Sequence, residues 1–453
     1  MIESLKILVL YHYFHPDDVV SAIQKKVLAE DMARRGYAVE VWPSNRSCHH
    51  KNDVYTTIPE TINGVLVRRV WRPGFKQHKF IGRILNTIWM AAAWKLRILF
   101  SRKNYDVVVI GTDPIFAFAI APLIRWKWPK CRIVQWCFDM YPEYAEAEGI
   151  IRENGWIATI IRWFLKWPYR VHDLVVNIGP CMRERLSRYP IKAHTTITPW
   201  ALEEPADPLP IDPIEREALF GSSPLALLYS GNFGRPHEYR LTLALARHLR
   251  HAANPTKRGQ ASQFTISATP TLVYSARGSK LSELKTAVTP EDTNVRFVDF
   301  APPDRLAARL ASPDIHVVSL SPSYTGAVVP SKFFGALAAG RPVLFEGSVD
   351  CSIARWIKEH KVGWILPSRA EGDAHSAPFS RSGRGDWDAA ELGVDDEERK
   401  AIEEVGMDLL VFAADPARKE AMFRHCHEVY QKHFSKRVML ERWRQAIQAP
   451  NAG

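Results

Sequence analysis

Two stretches of alternating strand and helix, separated by a proline-rich break, constrain this chain more than anything else in it. The first begins at the N-terminus. Residues 6–11, KILVLY, form an apolar run of strand length, and a turn-like HPDD follows. Residues 21–35 then place Ile23, Val27, Leu28 and Met32 at helical spacing, Gly36 supplies a stop, and a second strand follows at 38–42. A strand–helix–strand opening with buried-type strands predicts a parallel, doubly wound sheet. Further strands are predicted at 105–110, 131–136 and 174–177, with a helix from Cys181. Residues 198–214, TPWALEEPADPLPIDPI, hold five prolines and read as a linker. After it the pattern restarts with a strand at 225–230 and a helix at 237–251. Strands follow at 264–268, 295–298, 315–320 and 342–345. Residues 368–397 are polar and rich in glycine and serine, a loop or insertion, and residues 398–447 are helical.

Charge divides along the same line. The 453 residues carry a net +11. Residues 1–200 hold 29 Lys+Arg against 17 Asp+Glu, or +12, whereas 201–453 hold 31 against 32, or −1. Eleven of the 15 tryptophans share the basic half. Basic charge with tryptophan suggests an anionic partner: a membrane, a nucleic acid or a phosphorylated substrate. The six cysteines are scattered with no CxxC pair, so neither zinc nor a disulfide framework is indicated and no metal is expected. The clusters Cys48-His49-His50 and His425-Cys426-His427 are sequence neighbours, a poor arrangement for converging on one ion. No signal peptide is read at the N-terminus, and no run reaches the roughly 18 apolar residues of a spanning helix, so a reducing cytoplasm is expected.

Four segments carry chemistry. In LLYSGNFGRPHEYR a strand delivers the chain into Gly231-Asn232-Phe233-Gly234, where backbone N–H groups can approach a phosphate with a helix N-terminus behind them, and Arg235 adds a cation. A plain strand-to-helix turn is the alternative. In VVPSKFFGALAAGRPV, Pro330 and Ser331 read as a helix start, with Ser331 able to cap N–H groups. Lys332 then stands in a first turn whose dipole favours acids, a conflict that an anionic ligand resolves; a solvated lysine is the alternative. In QWCFDMYPEYAEAEG, Asp139 follows a strand end and Glu143 enters a helix, as site residues or as caps. The fourth is residues 61–105, with ten Lys+Arg and no acid. There Ile81, Leu85, Ile88, Ala92, Leu96 and Leu99 make one helical stripe. The second such candidate, 155–170, repeats Arg162, Lys166 and Arg170 beside Trp163 and Trp167. Both resemble interfacial helices lying on a membrane, against the alternative of helices packed on a core. His12 and His15 follow the first strand, as catalytic groups or as satisfied loop histidines. No GxSxG, HExxH or Walker motif is present.

Taken in order, YHYFHPDDVVSA, ARRGYAVEVW, INGVLVRRV, FDMYPEYAEAEG, YSGNFGRPHE, FVDFAPPDRL and PSKFFGALAAGRPV resemble retaining family 4 glycosyltransferases, in particular those that build bacterial O-antigen, capsule and exopolysaccharide. The resemblance runs over nearly the whole chain. It implies a GT-B fold, two Rossmann-like doubly wound domains facing a central cleft. Residues 1–200 would form the acceptor-side domain with the basic membrane-contacting helices. Residues 201–430 would bind the nucleotide-sugar and carry the insertion 368–397, and 431–453 would return to the first domain near Trp443. By resemblance, Gly231, Asn232 and Gly234 approach the diphosphate with Ser331 beside them, and Lys332 and Arg235 neutralise it. Asp139 and Glu143 match an acidic D-x-x-P-E pattern on the acceptor side. Two glutamates that the family often carries before its A-x-G-x-P turn are replaced here by Ala327 and Gly335, the second being the ribose contact. YSARG, 274–278, replaces a more usual glycine-rich turn.

The expected function is transfer of a sugar from a nucleotide diphosphate sugar, UDP-linked, to a lipid-linked saccharide or polyprenyl-phosphate acceptor at the inner face of the cell membrane. It is expected to be metal-independent and to need no cofactor, the nucleotide-sugar being a co-substrate. A nucleotide-sugar epimerase of similar fold and a basic nucleic-acid-binding protein are the rivals. The first would need acid–base carboxylates in the second half, and the second a recognition motif; neither is found.

Overall fold

Each parallel strand run forms its own sheet, because strands buried on both faces must be covered by helices on both sides. The computed structural model describes residues 4–48, 53–75, 80–253, 269–369 and 392–449. The chain divides into two compact units. One comprises Met1–Pro199, Gly326–Val328 and Arg437–Gly453, and the other Trp200–Thr325 and Val329–Lys436.

The first unit holds β1 (Lys6–Leu10), β2 (Ala38–Val41), β3 (Glu60–Ile62), β4 (Val65–Val67), β5 (Val107–Gly111), β6 (Arg132–Trp136), β7 (Leu174–Asn177) and β8 (His194–Thr196). Their order is β3-β4-β2-β1-β5-β6-β7-β8, parallel except for the β3–β4 hairpin. The helix Val20–Arg34 follows β1, and Gly36, at φ +89°, turns the chain into β2. The hairpin and β8 are absent from the sequence reading; strands of three residues are too short to show a period.

The second unit holds β9 (Ala226–Asn232), β10 (Thr271–Arg277), β11 (Val295–Val298), β12 (Ile315–Leu320), β13 (Val343–Gly347) and β14 (Gly363–Pro367), all parallel, in the order β11-β10-β9-β12-β13-β14. Both sheets are Rossmann-like. The expected strand at 264–268 and most of the insertion 368–397 (residues 370–391) lie outside the described residues, as do His49, His50, Lys76 and Lys79. YSARG is not a turn. Tyr274–Arg277 complete β10, and the polar Ser275 is accommodated because its hydroxyl donates to Asp299 O at 3.0 Å. The turn begins at Gly278, where φ is +143° and an added Cβ would lie 2.4 Å from Phe233 O.

Helices in the first unit separate into packed and unpacked faces. In the helix Phe80–Leu99, Met90, Trp94 and Ile98 are buried. The predicted stripe faces outward: Ile81, Leu85, Ile88, Leu96 and Leu99 are exposed large hydrophobics. The helix Trp156–Val171 buries Leu165 and Tyr169 and exposes Trp156, Trp163, Phe164 and Trp167. The helix Ala121–Lys127, with exposed Trp126, packs against both. The basic segment is not uniformly surface charge. Arg69 and Arg72 are buried, and Arg97 donates to Arg68 O at 2.7 Å. Arg83, Lys95 and Arg102 are exposed. Arg162 is likewise turned inward, against Glu143 and Glu146. Among the described residues no helix is long and apolar enough to cross a membrane.

The helix Lys436–Gln448 belongs to the first unit from Arg437 onward. Trp443 is fully buried there, its ring 4.5 Å from that of Trp136, and Arg132 donates to Ala446 O at 3.1 Å.

Candidate functional site

In an open parallel sheet, ligands bind beyond the carboxyl ends of the strands, where the strand order reverses. In the second unit that point lies between β9 and β12, since β9 continues through the helix Arg240–Ala253 to β10 on one side and has β12 on the other. There β9 runs out through Gly231 and Asn232. Gly231 has φ +130°, a conformation that favours glycine, and a Cβ on it would lie 2.6 Å from Lys332 Cε and displace the lysine.

Lys332 opens the helix Lys332–Ala338. Its Nζ donates to Asn232 O at 3.0 Å, lies 3.4 Å from His237 Nε2, and stands 5.0 Å from the centre of the Tyr229 ring. His237 Nδ1 lies 2.9 Å from Ser319 O, which places the proton on Nδ1 and leaves Nε2 as the acceptor facing the ammonium. Burial, reinforced by Lys332, takes His237 down to about 3, so it stays neutral. Burial takes Lys332 down to about 8. A cation held half-buried against neutral acceptors, with no carboxylate on it among the described residues, is suited to receive an anion. Arg235 is exposed on the same turn. The structure therefore brings Gly231, Asn232, Gly234, Arg235, Ser331 and Lys332 into one region through β9 and the Lys332 helix.

Two details differ from the sequence expectation. The helix after the glycine turn starts at Arg240, and its N-terminus is occupied from within. Glu346, at the end of β13, accepts from Leu241 N at 2.8 Å, Thr242 N at 3.0 Å and Thr242 Oγ1 at 2.5 Å. An anion cannot use N–H groups that a buried carboxylate already satisfies, so that helix end is not a phosphate site. Burial pushes Glu346 up to about 7. Ser331 is the N-cap of its helix, but its hydroxyl caps no N–H, because its own backbone is helical (φ −68°, ψ −16°). Gly340 ends that helix as expected, at φ +74°.

In the first unit the corresponding point lies between β1 and β5. Asp139, just past β6, is half-buried; burial, with Asp113 second, pushes its carboxyl up to about 6, against the opposing pull of Lys25. Glu143 does not share this space. It is wholly buried, with Oε1 accepting from Tyr189 Oη at 3.0 Å and from Arg162 Nε at 3.2 Å. Its geometry is that of a buried ion pair holding the helix Trp156–Val171. Sequence reasoning left His12 open and did not single out Lys25, Asp113, His237 or Glu346; each acts through a residue far away in the chain, so no local pattern marks it. His425 and His427 contact separate backbone carbonyls, and the described residues contain no group of three or more metal-ligating side chains.

Comparison with known proteins bears on the family and the fold. Residues 26–200 match the family model of the glycosyl transferase 4-like domain. The chain is 25% identical over 307 residues to a probable glycosyltransferase, WbjE, of Pseudomonas aeruginosa, covering 65% of this chain and 70% of that protein. Among solved structures it resembles sucrose-phosphate synthase of Thermosynechococcus elongatus (TM-score 0.64, 14% identity, 98% of both chains). It also resembles WaaG, a glycosyltransferase involved in lipopolysaccharide biosynthesis (TM-score 0.55, 15% identity, 98% of this chain and 100% of that one). At these identities the structural likeness establishes the fold.

Proposed function

We propose that the chain, whose residues 26–200 match the glycosyl transferase 4-like domain and which has the GT-B fold, moves a sugar from a UDP-linked donor to a lipid-linked saccharide or polyprenyl-phosphate acceptor. The second unit binds the donor and the first the acceptor. The observation that carries the reading is Lys332, an ammonium held 3.0 Å from Asn232 O across a glycine turn at the carboxyl end of the second sheet. In the reaction the acceptor hydroxyl oxygen bonds to the anomeric carbon. The bond from that carbon to the diphosphate breaks, its electron pair stays on the diphosphate, and the hydroxyl proton passes to the departing group. Lys332 and Arg235 stabilise the charge that develops there, and the backbone of residues 231–234 orients it. Fixed cations do this work without a metal. Asp139 is the acceptor-side carboxylate. The family resemblance supports retention at the anomeric carbon.

The membrane part of the reading rests on the outward faces of three adjoining helices. Ile81, Ile88, Trp126, Trp156, Trp163 and Trp167 are exposed while Arg83, Lys95 and Lys166 stand in water around them. Apolar surface with aromatic anchors and basic flanks fits the interface of an anionic bilayer at the cytoplasmic face. The test is a donor screen that measures nucleotide release and protection from thermal unfolding with UDP-, GDP- and other nucleotide sugars, with Lys332→Ala in parallel. UDP-sugar use by the wild type and a loss of at least about a hundredfold in the variant are expected. Near wild-type turnover by Lys332→Ala removes the assignment.

A further inference from the structure

We propose that Asp113 is a second carboxylate that binds the acceptor hydroxyl beside Asp139, with His12 positioning it and the amine of Lys25 buried at the same strand ends. This rests on the transfer reading above. His12 lies two residues beyond the end of β1 and Asp113 two beyond β5, the strands between which the order of the first sheet reverses. The two residues are tied twice: His12 N donates to Asp113 O at 3.0 Å, and His12 Nδ1 lies 3.3 Å from Asp113 Oδ1. Exposure is split between them. The His12 side chain is fully buried, stacked on Tyr13 at 4.3 Å, whereas that of Asp113 is 36% exposed. The histidine is the fixed support, and the carboxylate is the group a ligand can reach.

Lys25 is the independent sign that something polar belongs here. It is 1% exposed, and its Nζ has no hydrogen-bond partner among the described residues. The ammonium lies 3.9 Å from the Tyr11 ring centre, 4.3 Å from Trp136 and 4.1 Å from Phe138, three residues at the carboxyl ends of β1 and β6. Ring faces alone do not replace the water an ammonium gives up. Burial holds the Lys25 amine well below the usual lysine range, against the opposing pull of Asp139 and Asp113. The backbone makes room for this arrangement. Gly111 ends β5, and a Cβ there would lie 2.8 Å from Lys25 Cε and 2.3 Å from Tyr11 Cδ2. Together the exposed Asp113 carboxyl, Asp139 and the unpartnered amine offer hydrogen-bonding groups to a sugar hydroxyl at the end of this sheet.

The experiment uses the full chain, the donor selected by the screen, and undecaprenyl diphosphate-linked N-acetylglucosamine in phosphatidylglycerol vesicles. Nucleotide release to water without lipid serves as the second acceptor. Asp113→Asn is expected to lower transfer and release about a hundredfold, with protection by UDP unchanged. Asp113→Ser gives the same loss and covers a folding defect in the first variant. His12→Leu loses transfer comparably, and His12→Gln, which keeps an N–H for Asp113, restores most of it. Transfer by Asp113→Asn within about threefold of wild type overturns the proposal, because even one lost charge-assisted contact costs more. Equal damage in His12→Gln and His12→Leu overturns the positioning role. A wild type that turns over no nucleotide sugar overturns the transfer reading, and this proposal with it.

Discussion

Under the proposed reading, contact between Lys332 and the diphosphate makes nucleotide binding depend on pH in a calculable way. Burial takes its ammonium from 10.5 down to about 8 in the unliganded protein, and a bound diphosphate restores the charge. Binding therefore takes up a proton wherever the free lysine is partly neutral, and affinity falls by the fraction still protonated. That fraction drops from about one half at pH 8 to about 3% at pH 9.5, which weakens binding about 16-fold, or about 1.6 kcal/mol. Other groups do not intrude on this window. His237, at about 3, stays neutral, Glu346, at about 7, is ionised throughout, and the terminal phosphate of UDP has lost its last proton well below it. Titration calorimetry with UDP in two buffers of different ionisation heat reads both quantities. Uptake of about half a proton is expected at pH 8. Lys332→Met should bind UDP more weakly, with no proton uptake and no pH dependence over the same range. Affinity that is flat from pH 8 to 9.5 in the wild type would refute the placement of this lysine on the diphosphate.

Gly231→Ala forces a side chain into a position at φ +130° and 2.6 Å from Lys332 Cε; a loss of about 1–3 kcal/mol in denaturant unfolding is expected, together with loss of UDP protection. The raised Glu346 carboxyl binds a proton more readily in the folded state, so its contribution to stability is full below about 4.5 and is lost as pH rises through about 7. Melting curves from pH 4 to 8 should show that decline in the wild type and lose it in Glu346→Gln. Glu143→Gln should cost about 1–3 kcal/mol of stability by removing one charged acceptor from Arg162, which keeps Glu146, and from Tyr189; an unchanged melting temperature with lost turnover would instead make Glu143 a site residue. Gly335 has no atom within 4 Å of an added Cβ, so Gly335→Glu should fold normally and, if the ribose contact implied by the resemblance falls at this position, tighten UDP binding in calorimetry. Replacing Trp163 and Trp167 by serine should abolish flotation with anionic vesicles without changing the melting temperature, since both side chains are exposed.

The order of elements was legible because it depends on neighbours. An apolar run followed by a 3.6-residue period and a glycine at φ +89° reads as β1, its helix and its stop from sequence alone. So do β9 and the turn at Gly231, and the lysine set against its own helix dipole. The strand β10 was not legible, because Ser275 and Arg277 break its apolar pattern and are satisfied by distant partners. The two stripes on the helix Phe80–Leu99 show the same limit. Periodicity reveals that the helix has apolar faces, but only packing decides that Met90, Trp94 and Ile98 go inward and leave Ile81, Ile88 and Leu96 in water.

What the sequence determined by itself is therefore the local part: α/β order, two sheets, and a glycine turn with a cation to follow. The tertiary structure decided which charges are available. It consumed Glu143 in an ion pair, spent the N-terminus of the helix Arg240–Ala253 on Glu346, and brought His12 to Asp113, 101 residues away, and Lys332 to Asn232, 100 residues away. Such pairs are formed by parallel strands whose ends meet only after long crossovers. No local pattern encodes them, because each residue's partner lies on another element, far away in the chain.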